Sequence, residues 1–141
     1  MTDSPAVQVG KKVLILEDEL GIHRVLRGYL ERLGLHSVFT TDGKTTVAMY
    51  EAALDAGDPF DLVLADLTIP GGMGGREAMT HLLEIDPKVK AVVISGYSNE
   101  KVLAEYEQHG FLGALGKPFH FDQLAQVVGQ ALGTGPGNSE R

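Results

Sequence analysis

Asp66 ends the apolar run Leu62-Val63-Leu64-Ala65, and Pro70 follows four residues later, with glycine at four of the next five positions, Gly71-Gly72-Met73-Gly74-Gly75. Glu17 and Asp18 end the run Val13-Leu14-Ile15-Leu16 in the same way, Ser95 ends Ala91-Val92-Val93-Ile94, and Lys117 follows Phe111 to Gly116. Carboxylates crowded together raise one another's pKa, so a site that gathers three of them calls for a cation. Hard oxygen donors suit Mg2+, which takes one or two carboxylates, keeps several waters and completes its shell with phosphate oxygens. An aspartate can itself act as nucleophile and form an aspartyl-phosphate. A metal, the Lys117 ammonium and the Ser95 hydroxyl can then each meet one oxygen of a phosphoryl group in transfer. The residue types suffice for self-phosphorylation on Asp66, provided that the fold brings them to one place.

The elements between these residues meet that condition. Each of the apolar runs is short and aliphatic enough for a buried strand. Leu20, Ile22, Val25, Leu26, Tyr29, Leu30 and Leu33 recur at helical spacing, with Gly34 placed to cap the helix. Ser37 to Thr41 reads as a second strand near an edge, and Asp42 as the N-cap of a helix whose inner face holds Val47, Ala48, Tyr50 and Leu54, ended by Gly57-Asp58-Pro59. Ala78, Met79, Leu82 and Ile85 mark a third helix, stopped by Asp86-Pro87. Ser98 caps a fourth with Val102, Leu103 and Tyr106 inward, closed by Gly110, and Phe121, Leu124, Val128 and Leu132 mark the last. Five strands alternating with helices predict a doubly wound α/β fold, a five-stranded parallel sheet with helices on both faces. Helical crossovers then put every strand's carboxyl end on one rim, where ligands of open α/β sheets bind. Glu17, Asp18, Asp66, Ser95 and Lys117 all fall on that rim.

The chain has 141 residues, 43% of them apolar and 22% charged. That suits one domain, expected over residues 11–133 between a loose lead at 1–10 and a polar, glycine-rich tail at 134–141. The start Met1-Thr2-Asp3-Ser4-Pro5 has no signal-peptide pattern and there is no long apolar run, so a cytoplasmic protein without a membrane partner is expected. Cysteine is absent, which excludes disulfides and thiolate metal sites. The net charge of -7 argues against nucleic acid as a partner.

Taken in order, Glu17-Asp18, Asp66 with Pro70, Ser95-Gly96 and Lys117-Pro118-Phe119 resemble the receiver domain of two-component response regulators, with flavodoxin-like topology, from Lys12 to Leu132. Within that family, Asp66 to Gly75 and Ser95-Gly96-Tyr97-Ser98 are similar to receivers attached to hybrid sensor histidine kinases. The resemblance implies that Asp66 accepts a phosphoryl group from a histidine of a kinase or phosphotransfer domain. It implies Mg2+ held by Asp18, Asp66 and the Thr68 carbonyl, with Glu17 acting through water. Ser95 and Lys117 would bind phosphoryl oxygens, and the Lys117–Pro118 bond is expected to be cis. It implies a phosphorelay component that signals by a conformational shift, not an enzyme beyond self-phosphorylation and slow self-dephosphorylation. Three positions depart from the family: Glu17 replaces the more usual aspartate, the loop after Pro70 is one residue longer, and Ala114 stands where an aromatic usually couples phosphorylation to output.

Other readings compete. Asp18 taken alone reads equally well as a helix cap. A pseudo-receiver that docks a partner without phosphorylation fits Glu17 and Ala114, but not an intact Asp66, Ser95 and Lys117. An aspartate-nucleophile phosphatase needs a second acid two residues after the nucleophile, where this chain has Thr68. The glycine loop lacks the phosphate-binding pattern ending in Lys-Ser/Thr, and no loop has the hydroxyl and amide run that would cradle a flavin phosphate. His23, His36, His81, His109 and His120 show no metal-ligand spacing and are read as surface residues.

Overall fold

The computed structural model describes residues 10–67, 73–96 and 105–133. Five strands, β1 (Lys12–Leu16), β2 (His36–Thr40), β3 (Leu62–Asp66), β4 (Ala91–Ser95) and β5 (Gly113–Gly116), form one parallel sheet in the order β2-β1-β3-β4-β5. Helices α1 (Leu20–Arg32), α2 (Gly43–Asp55), α3 (Gly75–Ile85) and α4 (Phe121–Gly133) cover it, and Tyr106–His109 forms a 3-10 turn before β5. The expected doubly wound, flavodoxin-like architecture is the one observed.

Alternation along the strands divides the core in two. Val13, Ile15, Leu62, Leu64, Val92 and Ile94 pack against Leu26 and Leu30 of α1 and Leu124 and Val128 of α4. Their sequence neighbours Leu14, Leu16, Val63, Ala65, Ala91 and Val93 face the other way, against Tyr50 of α2 and Ala78, Met79 and Leu82 of α3. β1, β3 and β4 are therefore apolar on both faces, as a sheet covered on both sides requires. Burial of each large aliphatic side chain is worth about 1.5–3 kcal/mol.

The stop signals act as read. Gly34, Gly57 and Gly110 each adopt positive φ, at 79°, 78° and 93°, just past a helix or the 3-10 turn. Asp42 caps α2 by accepting a hydrogen bond from the Thr45 N–H at 2.8 Å. The structure departs from several expectations. β2 starts one residue earlier than expected and β5 starts at Gly113, not Phe111, although Phe111 is buried. Leu20 and Val25 point outward, 70% and 42% exposed, and Ala48 lies on the exposed face of α2, where Thr46 is buried instead. His23 is buried, not a surface residue. Ser98, Val102 and Leu103 lie outside the described residues, as do Thr68, Pro70 and Tyr97.

The far rim of the sheet, where the strands begin, holds both ends of the described chain. The Gly10 N–H donates to the Gly34 carbonyl just before β2. Lys90, just before β4, donates from Nζ to the Leu132 carbonyl near the end of α4.

Candidate functional site

β1, β3 and β5 deliver the charged groups. Glu17 follows β1, its N–H bonded to the Thr40 carbonyl at 3.0 Å, and it is wholly buried. Asp66 is the last residue of β3 and 4% exposed. Lys117 follows β5, and its N–H donates to the Ser95 carbonyl at 2.8 Å, which fixes β5 beside the end of β4. The Lys117–Pro118 bond is cis, as the sequence reading expected.

From there the Lys117 ammonium reaches across the rim. Nζ lies 3.0 Å from Asp66 Oδ2, 2.9 Å from Glu17 Oε1 and 3.5 Å from Glu19 Oε1. Burial alone would lower the lysine pKa, but hydrogen bonds to Glu17 and Asp66 outweigh it and hold the ammonium well above the usual lysine range. Burial pushes the Glu17 carboxyl up, against the opposing pull of Lys117 and the Glu19 N–H, and the nearby Asp66 charge pushes the same way.

Glu17, Asp18 and Asp66 each offer a carboxylate oxygen within 4.8 Å of the others, with Asp18 the most exposed of the three. Three carboxylates against one ammonium leave a surplus of negative charge. Glu17 Oε1 is buried, and among the described residues the Lys117 ammonium at 2.9 Å is the one group that meets it. An all-oxygen donor set with excess charge and an under-satisfied buried acceptor fits a small, hard divalent cation. Ser95 is buried at the end of β4, with Oγ donating to the Gly96 carbonyl at 3.2 Å. Thr68, the expected carbonyl ligand, lies outside the described residues.

Residues 13–129 match the family model of the response regulator receiver domain. The receiver protein CpdR of Brucella abortus is 30% identical over 122 residues, which cover 86% of this chain and 97% of that protein. The chain belongs to the response regulator receiver family. Sporulation initiation phosphotransferase F of Bacillus subtilis is 30% identical over 128 residues, 88% of this chain and 95% of its own. The receiver domain of a Pseudomonas aeruginosa sensor histidine kinase, solved with a magnesium ion coordinated in its active-site cleft, superimposes with a TM-score of 0.77 at 21% identity. That match covers 89% of this chain and all of that one.

In this receiver the sequence reading located the charged rim and missed what braces it. His23 Nε2 donates to the Glu17 carbonyl, and the ring packs on Phe39 at 4.5 Å between centroids. Its spacing with Leu26 and Leu30 is that of the inward stripe of α1, the signal that marks it as buried. Thr40 Oγ1 donates to the Ile15 carbonyl at 2.8 Å and lies 2.6 Å from Thr46 Oγ1, a buried hydroxyl pair beside the same rim. Gly75, the first residue of α3, sits so close to β3 that a Cβ there would lie 2.6 Å from the Asp66 carbonyl oxygen. Ala114 is half-buried in β5, opposite Val93.

Proposed function

We propose that this receiver of two-component signalling accepts a phosphoryl group from a histidine onto Asp66, with Mg2+ as cofactor, and signals by a shift in conformational population. One observation carries the reading: the Lys117 ammonium stands between the buried carboxylates of Asp66 and Glu17, at 3.0 and 2.9 Å. An Asp66 oxygen attacks phosphorus, and the new O–P bond forms as the P–N bond of the donor phosphohistidine breaks. The bonding pair leaves with the imidazole nitrogen, which is protonated from solvent. Lys117, already paired with the attacking carboxylate, moves its charge onto a phosphoryl oxygen, and the Ser95 hydroxyl meets another. Mg2+, when bound, neutralises charge on the phosphoryl oxygens. Asp18, Asp66 and the Thr68 carbonyl would hold it, with Glu17 acting through water.

Two similarities support this assignment: one relative is named a phosphotransferase, and the Pseudomonas receiver holds magnesium. The donor is a histidine kinase or a histidine phosphotransfer domain, and a receiver of the hybrid-kinase type fits the same chemistry. The domain works in the cytoplasm and turns over no second substrate. Among the described residues, no helix is long and apolar enough to cross a membrane.

Intact mass after incubation with Mg2+ and acetyl phosphate tests the proposal. A single phosphoryl adduct is expected, dependent on Mg2+ and absent from Asp66→Asn. An adduct that persists in Asp66→Asn would move the acceptor elsewhere. No adduct in the wild type would favour a docking module that works unphosphorylated.

A further inference from the structure

Resting on the proposed Mg2+ site, we infer that His23 is a positioning residue for that site: its imidazole ties down the turn between β1 and α1 that presents Glu17 and Asp18. The turn is three residues long, Glu17-Asp18-Glu19; backbone N–H groups of Ile22 and His23 hold its Glu19 end at the carbonyl, each at 3.1 Å, and the His23 ring holds its Glu17 end through a bond from Nε2 to the Glu17 carbonyl. Because a carbonyl oxygen only accepts, Nε2 must carry the proton. Asp18 lies between these two anchored carbonyls.

Among the described residues, the His23 ring is the side chain bonded to the Glu17 carbonyl. Glu19, at the N-cap position of α1, makes no side-chain capping bond. The Glu17 N–H is held by Thr40, but its carbonyl, in a residue with no exposed surface, depends on the His23 ring. The ring is itself packed at a 34° tilt against Phe39, whose ring also lies 5.0 Å from the Arg27 guanidinium. The remaining Glu17 oxygen, Oε2, accepts from the Glu19 N–H at 3.1 Å, so the carboxylate's direction follows the turn's backbone. Mg2+ demands near-ideal octahedral geometry and tolerates displaced ligands poorly. Hydrogen-bond partners that orient metal ligands typically account for 10- to 100-fold in affinity.

Magnesium titration of the full chain by calorimetry provides the test, with wild type, His23→Leu and His23→Gln. Leucine fills much of the ring's space and removes the donor, whereas glutamine restores an N–H. We expect His23→Leu to bind Mg2+ about 10- to 100-fold more weakly while its metal-free circular dichroism matches wild type, and His23→Gln to recover part of the loss. A folded His23→Leu that binds Mg2+ within about twofold of wild type would overturn the inference and leave the proposed function intact. Failure of the wild type to bind Mg2+ would instead remove the reading on which it rests. Should His23→Leu not fold, nitrogen-15 NMR of the wild-type imidazole decides. A proton on Nε2 that exchanges slowly and is protected by the bond supports the tie, and the Nδ1-protonated tautomer refutes it.

Discussion

Replacing Gly75 by alanine should damage both stability and phosphorylation, because the start of α3 is built against the backbone that carries Asp66. A Cβ at Gly75 would lie 2.6 Å from the Asp66 carbonyl oxygen, 3.0 Å from its carbon and 3.2 Å from Leu67 Cα. The first distance is 0.8 Å short of the 3.4 Å at which ordinary contact begins. All three neighbours are backbone, so no side-chain rotation relieves the clash. Overpacking of this kind costs about 1–3 kcal/mol. Alanine returns at most about 1 kcal/mol through helix propensity, so a net loss of up to about 2 kcal/mol follows, or up to roughly 8 °C in melting temperature. The shift that relieves the clash moves Asp66 relative to Lys117, and misplacement on this scale lowers a transfer rate by about 10- to 100-fold. Urea denaturation and the rate of adduct formation from acetyl phosphate measure the two effects. Gly28→Ala is the control: it lies mid-α1 with nothing within 4 Å of a built Cβ, and should stabilise by about 0.5–1 kcal/mol. A Gly75→Ala protein as stable as wild type and phosphorylated at the same rate would refute the reasoning.

Other expectations follow from the same geometry. Glu17 has a folded pKa above the glutamate value of 4.5, so the folded state holds more protons than the unfolded between the two values, and its contribution to stability falls as pH rises through that window. Urea midpoints in EDTA should therefore show Glu17→Gln gaining on wild type from about pH 4.5 upward and levelling off once Glu17 is ionised; parallel profiles would contradict this. Asp42 is shifted the other way by the Thr45 N–H and hydroxyl, so its cap is in force above pH 3.8 and is lost as pH falls through the lowered folded value. Asp42→Ala should be less stable than wild type at neutral pH and converge with it in acid, while Asp42→Asn keeps the cap throughout, as thermal melts across pH will show. Burial and the Tyr50 hydroxyl's 2.6 Å hydrogen bond to Asp86 Oδ2 keep the phenol protonated well past the ordinary tyrosine range. Tyr50→Phe should cost about 1–2 kcal/mol in denaturation and abolish the latest step of an alkaline absorbance titration.

The fold was legible because its signals were local and agreed with one another. The apolar runs at Val13, Leu62 and Ala91 are short, aliphatic and end in polar residues, and their alternation with helices makes them parallel strands with Glu17 and Asp66 on one rim. What escaped notice is pairwise and long-range. Nothing in the composition of α1 says that His23 will reach back to the Glu17 carbonyl, although its place on the Leu26–Leu30 stripe says that it is buried. Gly75 reads as one glycine among four in a loose loop, and only the approach of α3 to β3 shows why a side chain is excluded there. Leu20 and Val25 fit the helical period yet lie at the margin of the stripe, where the sheet no longer covers them.

The two ends of the described chain share a consequence for how the domain can be attached. Gly10 is bonded beside Gly34 and the end of α4 beside Lys90, so both lie at the strand starts, roughly 15 Å by strand rise from Asp66. A tether, reporter or neighbouring module joined directly at Gly10 or Gly133 starts on the side of the sheet away from the carboxylates. A donor approaching Asp66 meets neither Gly10 nor the end of α4 there. Immobilising a chain trimmed to residues 10–133 through either of those ends should leave the rate of phosphoryl uptake unchanged.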